Sequence, residues 1–436
     1  MRSPSIGLHR GTLAGSAAGP TASPTSGLRR SIERTIASFV GDGWRVAVSE
    51  ASRSDWLADP ASIGLDPEAL ESLRERVRKE VDEGLLPSAQ IAVAREGRLG
   101  LFETFGNETN DSLYCIFSST KAITSAAAWL LIESGDLSVN ELAGDIVPEF
   151  ATNGKEVVTV EQLFLHTAGF PSAPFRPTDW LDRERRLQRF ATWRLNWEPG
   201  SKFEYHPTSS MWVIAEIVER RSGRDFTEFV RAEIAEPLGL PDMFVGLPAT
   251  RAKDVAELTH CGDPLTSEDY ARLGLPEPPV TEVTEEVILS FNHPEVQAVG
   301  VPGGGGIMTA AEVALFYQGL LHGGSVGRRR VWEDSTLDMA RTVRSGDLFD
   351  PLSKKRVNRG LGIVVSGDKD RNFRGFGHDN SPLAFGHGGA GGQIAWADPA
   401  TGISIGYCTN GHDRNPIRMG GRGVGVSNRA AVCAAA

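Results

Sequence analysis

Cysteine is scarce in this chain of 436 residues, which has four, all far apart: Cys115, Cys261, Cys408 and Cys433. Without a Cys-x-x-Cys pair, this spacing argues against a disulfide scaffold and a cysteine-ligated zinc site. Long apolar runs are also missing, because none approaches the roughly 20 residues that a membrane-spanning helix needs. The sequence therefore predicts a cytoplasmic protein that uses neither metal nor cofactor.

An excess of positive charge is likewise absent. Lysine and arginine together number 45 against 56 acidic residues, which gives a net charge of −11. Such a balance disfavours nucleic acid and anionic lipid as partners. The content of 40% hydrophobic and 23% charged residues is typical of globular proteins. These features favour a protein that acts on a small molecule, and they leave its oligomeric state open.

The first 30 residues carry four arginines and no acidic residue. They lack the apolar core of 7–15 residues that a Sec signal peptide requires. We therefore expect a disordered tail over residues 1–45 and no export. An organelle transit peptide is the alternative, since such peptides are also rich in arginine and serine.

Hydrophobic periodicity predicts strands near both ends of the chain, with helices between them. Asp66 and Pro67 mark the start of a helix, because they suit its N-cap and first position. The predicted strands are Gln90–Ala94, Leu99–Thr104, Leu361–Val365, Gln393–Ala397 and Ile403–Cys408. The predicted later helices are 118–134, Glu161–His166, Thr208–Arg221, Phe226–Ile234 and Thr309–Leu321. This order indicates one α/β unit interrupted by a helical one.

The stretch Phe170–Trp197 is crowded with proline, tryptophan and arginine and has no clear period. We expect it to be an irregular surface excursion whose aromatic and arginine side chains shape the entrance to a site.

Two glycine-rich patterns are poor candidates for function. Gly323–Gly327 fits the G-x-S-x-G nucleophile elbow around Ser325, but it follows a predicted helix instead of a strand. Gly386–Gly391 fits G-x-G-x-x-G, but a strand follows where dinucleotide binding requires a helix. We expect neither to be functional in that way.

Ser118 and Lys121 form a Ser-x-x-Lys pattern at the start of a buried, alanine-rich helix. The helix N-terminus offers free N–H groups, and a residue at i+3 lies on the same face as the serine. Burial lowers the pKa of a lysine and lets it act as a base. Taken alone, the pattern is better explained by an N-cap serine beside an exposed lysine, because it is short and common. A second such pattern, Ser366-x-x-Lys369, lies in a Gly/Asp-rich turn and is not expected to act.

Four further segments follow Ser118-x-x-Lys121 in the chain. They are Leu165–Phe170, Pro199–Tyr205, Gly304–Ala310 and Phe385–Gly389. Together the five segments resemble the serine β-lactamase and penicillin-binding-protein superfamily, most of all its class C-like branch with the family VIII carboxylesterases. The resemblance runs from about Asp66 to Cys408.

The resemblance implies an α+β fold (an α/β sandwich), with an antiparallel β-sheet flanked by helices and an inserted all-helical domain. On this basis residues 46–120 and 286–436 would form the sheet domain. Residues 121–285 would form the helical domain, and the active site would lie between the two.

The resemblance also implies roles for individual residues. Ser118 would be the acylated nucleophile, Lys121 would share or relay its proton, and Tyr205 would activate the serine and then water. The backbone N–H groups of Ser118 and Ala390 would form the oxyanion hole. No metal ligand and no cofactor site are implied.

The strand segment His387-Gly388-Gly389 matches the family's Lys-Thr-Gly and would bind substrate. It departs from that motif at its first two positions, and Pro207 replaces the asparagine of the family's Tyr-x-Asn. The missing cation and hydroxyl would otherwise meet a lactam carboxylate. A protonated His387 would replace the lysine in part, so we expect any lactamase activity to rise as the pH falls toward 6. His387 could equally be a packed strand residue.

These features predict a serine hydrolase that cleaves carboxylic esters through an acyl-enzyme. The alternatives are the same chemistry on β-lactams or D-amino-acid peptides, acyl transfer to an alcohol, and a non-catalytic homologue that only binds its ligand.

Overall fold

A computed structural model describes residues 56–275, 277, 283–322 and 330–435. The expected tail 1–45 and the pentapeptide Gly323–Gly327 lie outside the described residues. No helix within those described is long and apolar enough to cross a membrane.

The main sheet has six strands in the order β2-β1-β10-β9-β8-β7, and every neighbouring pair is antiparallel. Its strands are β1 (Ser88–Arg95), β2 (Arg98–Gly106), β7 (Val364–Val365), β8 (Phe385–Gly386), β9 (Ile394–Asp398) and β10 (Ile403–Thr409). A three-stranded sheet joins β3 (Tyr114–Cys115), β4 (Phe244–Val245) and β6 (Gly306–Met308), and β5 (Thr259–Cys261) pairs with β11 (Gly411–Asp413). The predicted antiparallel sheet is confirmed.

Fourteen α-helices occur in the described part of the chain. The first seven are α1 (Pro67–Asp82), α2 (Thr120–Glu133), α3 (Ala143–Ile146), α4 (Val160–Phe164), α5 (Arg183–Thr192), α6 (Ser209–Ser222) and α7 (Phe226–Val230). The others are α8 (Glu236–Leu238), α9 (Ser267–Leu273), α10 (Glu285–Leu289), α11 (Pro294–Val299), α12 (Ala310–Leu321), α13 (Asp334–Arg341) and α14 (Pro416–Ala431).

The two faces of the main sheet bury different apolar layers. On one face, alternate residues such as Ile91 and Ile405 pack with Leu73 of α1 and Val426 of α14. On the other face, strand residues such as Ala92 join the core formed by α2, α6 and α12. Because both faces of the sheet are covered, consecutive residues of a strand are buried, and buried residues do not alternate with exposed ones.

The local signals that predicted these elements are borne out at several caps. The Asp66 carboxylate accepts the Glu68 N–H at the start of α1, with Pro67 in the first helical position. Thr309 and Glu312 form a capping box at the start of α12. The predicted strands Gln393–Ala397 and Ile403–Cys408 correspond to β9 and β10, each within one residue at either end.

The stretch Phe170–Trp197 is not a surface excursion. It contains the helix α5, and Trp180, Phe190 and Trp193 are buried in the main core. Arg186 is 5% exposed, with its guanidinium carbon 4.0 Å from the centre of the Trp180 ring. The arginines make this segment look polar and solvent-exposed in sequence, so the amphipathic helix within it was not predicted. Its aromatic side chains therefore pack into the core of the molecule instead of lining an entrance.

Two further elements are shorter than predicted. The predicted strand Leu361–Val365 is regular only at β7, because Gly362 adopts a φ of 77° against Ser125 of α2. The predicted helix Phe226–Ile234 changes to a π-helical turn after Val230. The 121–285 segment is mostly helical and also contributes β4 and β5 to the small sheets.

Candidate active site

Ser118 lies in a single 3₁₀ turn, Phe117–Ser119, that leads directly into α2. Phe117 has a φ of 44°, a left-handed conformation that a bulky residue adopts at a cost of about 1–3 kcal/mol. The Thr120 hydroxyl holds the turn, since it donates to Phe117 O (2.6 Å) and accepts from Gly306 N (2.8 Å). The serine is thus presented from a strained, anchored turn two residues before α2 begins, whereas the sequence predicted it as the first residue of the helix.

Lys121 is fully buried beneath Ser118, on the same face of the turn. Its Nζ donates to Ser118 Oγ (3.1 Å), Pro207 O (2.6 Å) and Gly303 O (2.8 Å). The two carbonyl oxygens and the serine hydroxyl accept hydrogen bonds from it and fix Nζ directly beside Ser118. The role of Lys121 as a proton relay stays a prediction.

Tyr205 lies beside both residues, with its ring centre 5.0 Å from Lys121 Nζ. Its hydroxyl is hydrogen-bonded to the side chains of Lys121 and Ser118. Burial by itself raises the pKa of this phenol, but the positive charge and the hydrogen bonds of Lys121 outweigh that effect. Ser118 and the Arg359 charge act in the same direction, so the pKa of Tyr205 lies below its ordinary value. A phenol with these neighbours can take the serine proton.

His387 is 6% exposed and lies with its ring centre 6.1 Å from that of Tyr205. Its Nδ1 is 2.8 Å from Gly388 O, which makes Nδ1 the protonated nitrogen. Burial, followed by the charges of Arg359 and Lys121, lowers the pKa of His387 well below its ordinary value. The charged imidazolium is therefore disfavoured, which argues against the expectation that a protonated His387 partly replaces a lysine cation near pH 6.

The glycines after His387 pack against the turn that carries the serine. Gly389 donates its N–H to Gln393 O (3.0 Å), and a Cβ added to it would lie 2.2 Å from Ile116 O. Ser119 and Gly392 use their N–H groups in turn hydrogen bonds. Those bonds do not involve the N–H groups of Ser118 and Ala390, the two predicted oxyanion donors.

Replacement of Gly389 tests this close approach. We expect Gly389→Ala to lower kcat for an acyl ester by at least about 100-fold. The new methyl group would push the Ala390 N–H away from the serine, and the loss of one oxyanion donor lowers kcat by about 10²–10³-fold. Gly388→Ala is the matched control, because its Cβ meets only Gln393 O, at 3.3 Å. Steady-state kinetics on both folded variants would show a much smaller loss for Gly388→Ala; equal losses would contradict the assignment of this loop.

Two buried histidines near Tyr205 were not identified from the sequence. His166 has a φ of 57°, and its ring centre lies 4.7 Å from that of Tyr205. Its Nδ1 accepts the His206 N–H (3.2 Å), and His206 Nε2 in turn accepts the Phe170 N–H (3.2 Å). These bonds fix the backbone that carries Tyr205. The Leu-His-Thr segment was quoted as part of a motif, but only its contacts give the histidine this positioning role.

The contacts that Pro207 and Gly303 make with Lys121 were also not predicted from the sequence. Pro207 lacks the side-chain amide of an asparagine, yet its carbonyl oxygen accepts from Lys121. Gly303 provides the second carbonyl from the run of four glycines. Within the part of the chain that is described, no group of three or more His, Cys, Asp or Glu residues could hold a metal ion.

The chain matches known proteins over most of its length. The Beta-lactamase family profile matches residues 73–423. The chain is 24% identical over 388 residues to the putative D-alanyl-D-alanine carboxypeptidase of Escherichia coli (strain K12), covering 81% of this chain and 85% of the relative. It is 24% identical over 318 residues to the esterase/β-lactamase LipL of Mycobacterium tuberculosis, covering 69% of this chain and 70% of LipL.

A solved structure is also similar to this chain. A crystal structure of a family VIII carboxylesterase superposes with a TM-score of 0.69 at 25% identity and covers 84% of this chain and 99% of its own.

Proposed function

The chain belongs to the β-lactamase family, and from that premise we propose that Ser118, Lys121 and Tyr205 hydrolyse carboxylic esters through an acyl-enzyme. The protein is a serine hydrolase of the carboxylesterase type. The observation that carries the proposed roles is the three-way contact of the serine hydroxyl, the lysine ammonium and a phenol whose pKa is lowered.

Acylation begins when Ser118 Oγ attacks the ester carbonyl carbon and its proton passes to the Tyr205 oxygen. The Lys121 ammonium stabilises the phenolate before the transfer and keeps its own protons. Negative charge that develops on the carbonyl oxygen is met by the N–H groups of Ser118 and Ala390. The alcohol then leaves with the proton that Tyr205 received.

Deacylation repeats these steps with water in place of the serine. Tyr205 takes a proton from water, the hydroxide attacks the acyl carbon, and the proton returns to Ser118 Oγ as the ester bond breaks. Since the base must be deprotonated, activity should fall as the pH drops below the pKa of Tyr205. We expect no second transition near pH 6 from His387, because its pKa lies well below that value.

The choice between esters and lactams rests on the strand segment that begins at His387. A neutral imidazole and Gly388 provide neither the cation nor the hydroxyl of Lys-Thr-Gly, and Pro207 provides no side-chain amide. Each lost charge-assisted contact is worth about 1.5–3 kcal/mol, so two together lower kcat/KM by roughly 10²–10⁴-fold. A short acyl ester depends instead on the proposed oxyanion donors and an apolar acyl pocket, and on neither of the two lost contacts.

We therefore expect efficient hydrolysis of p-nitrophenyl butyrate and weak or undetectable turnover of a chromogenic cephalosporin. Parallel measurement of kcat/KM for both substrates between pH 6 and 8 would check this expectation. A higher value for the cephalosporin at neutral pH would replace the esterase proposal with the lactamase alternative. A rise of cephalosporin turnover toward pH 6 would contradict the neutral state of His387.

We extend the proposal to organisation and location. We propose a sheet domain over residues 46–120 and 286–436, of which the structure describes 56–120, 286–322 and 330–435, and a helical domain over residues 121–285, with Ser118 at their junction. This division is supported by the contacts of Lys121 with Pro207 O and Gly303 O, which come from the two segments. The scarcity of cysteine and the three buried free thiols, Cys115, Cys408 and Cys433, support a cytoplasmic location.

A further inference from the structure

The half-buried Arg359 has no carboxylate partner in the described part of the chain, and it lies directly beside the proposed catalytic phenol. Its guanidinium carbon is 5.5 Å from the ring centre of Tyr205 and 5.6 Å from that of Phe203. Its Nη1 atom is buried without a hydrogen-bond partner, and none of the ion pairs found among the described residues includes it. The sequence patterns gave no reason to single it out.

Two other shielded arginines in the described part of the chain are paired with carboxylates. Arg422 is paired with Glu80 and Asp413, and Arg251 with Asp242 and Asp254. A guanidinium removed from water without such a partner is destabilising, because it loses hydration and gains no counter-charge. A half-buried guanidinium with an unused donor is therefore suited to receive an anion from a ligand.

The backbone around Arg359 fixes its position. Its N–H donates to Ser345 Oγ (3.0 Å), which in turn donates to Val357 O (2.8 Å). Tyr205 and Asp350 are the acidic groups whose charges stabilise the guanidinium. The Asp350 carboxylate is already held by the N–H of Leu352 (2.8 Å) and the hydroxyl of Ser353 (3.1 Å). The guanidinium is thus held next to Tyr205, and its Nη1 atom is left without a hydrogen-bond acceptor.

The other cation of the site cannot serve the same purpose. Lys121 is fully buried, and its ammonium is hydrogen-bonded to protein oxygens. His387 is neutral, so the strand position that would carry a lysine has no charge. Arg359 remains the group beside Tyr205 with both a full positive charge and an unused donor.

We infer that Arg359 recognises an anionic group on the acyl side of the substrate and that the enzyme prefers esters whose acyl chain carries a carboxylate. The carboxylate of a β-lactam lies instead on the leaving-group side. The inference rests on the proposed esterase function and adds a substrate class to it. A planar guanidinium forms two parallel hydrogen bonds with a carboxylate, and this geometry fixes the direction of the substrate as well as its charge.

A matched pair of substrates tests this inference: mono-4-nitrophenyl adipate and its methyl ester, which differ only in the distal negative charge. Arg359→Gln should lower kcat/KM for both by a few-fold, because the charge that favours the Tyr205 phenolate is lost. The anionic ester should lose a further 10- to 100-fold, and Arg359→Lys should restore part of its advantage. Arg356→Gln is the control, since Arg356 is exposed and paired with Asp347; it should leave both values as in the wild type.

An equal loss for the two esters would overturn the inference, since Arg359 would then act only through Tyr205. A binding measurement keeps the test independent of turnover. The full-length Ser118→Ala protein should bind adipic acid monoanilide at least tenfold more tightly than the methyl ester of that compound. If the wild type hydrolyses neither ester, the esterase proposal fails, yet this calorimetric preference still decides whether the anion site exists. Equal binding of the two anilides would exclude it.

Discussion

Ser118→Ala should lower kcat for p-nitrophenyl butyrate by at least about 10³-fold and leave the fold intact. The serine oxygen is the atom that would become acylated, and members of one catalytic unit fail together when the nucleophile is removed. Its side chain is partly exposed and contacts Lys121 and Tyr205, while the turn itself is anchored by Thr120, so an alanine there should not disturb the turn. Steady-state kinetics beside circular dichroism would measure both quantities.

Covalent labelling locates the nucleophile independently of kinetics. A fluorophosphonate probe should add one adduct to the wild type, on the peptide that contains Ser118, and none there to Ser118→Ala. Ser325→Ala is the matched control, because Ser325 lies in the G-x-S-x-G pentapeptide that we do not expect to act; this variant should label and turn over as the wild type does. An adduct on Ser325 would overturn the assignment of the site.

The second large effect concerns Lys121 and Tyr205 together. Tyr205→Phe and Lys121→Ala should each lower kcat by about 10³-fold, because the first removes the base and the second removes the cation that favours its phenolate. The double variant should lose little more than either single one, since both changes disable the same proton transfer. The three values of kcat, measured on folded protein, form a double-mutant cycle.

A second buried lysine provides the control for this cycle. Lys155 is also fully buried, and its Nζ donates to Thr152 O and Trp193 O, away from Ser118. Lys155→Ala should lower the melting temperature, because two buried carbonyl oxygens lose their donor, while kcat per folded molecule is retained. If the losses at Lys121 and Tyr205 instead multiply to about 10⁶-fold, the two residues act independently and the shared proton transfer is wrong.

Local chemistry in the sequence was sufficient for much of the fold. Asp66-Pro67 predicted the start of α1, and residue patterning predicted the strands that pair as β9 and β10, because caps and strand patterns depend on neighbouring residues alone. The segment Phe170–Trp197 was misread for the opposite reason. Its arginines look solvent-exposed in sequence, but Arg186 is buried against Trp180 and paired with Glu216 and Glu219, partners some 30 residues away.

The sequence by itself determined the pair Ser118 and Lys121, because i and i+3 fall on one face of a turn wherever that turn is placed. It also determined which chemistry was available, through the hydroxyl, amine and phenol that the chain contains. Only the tertiary structure decided which groups surround them: Pro207 O and Gly303 O at the lysine, and Arg359 over Tyr205. The tertiary structure also lowers the pKa values of Tyr205 and His387, since a pKa depends on burial and on charges from distant segments of the chain.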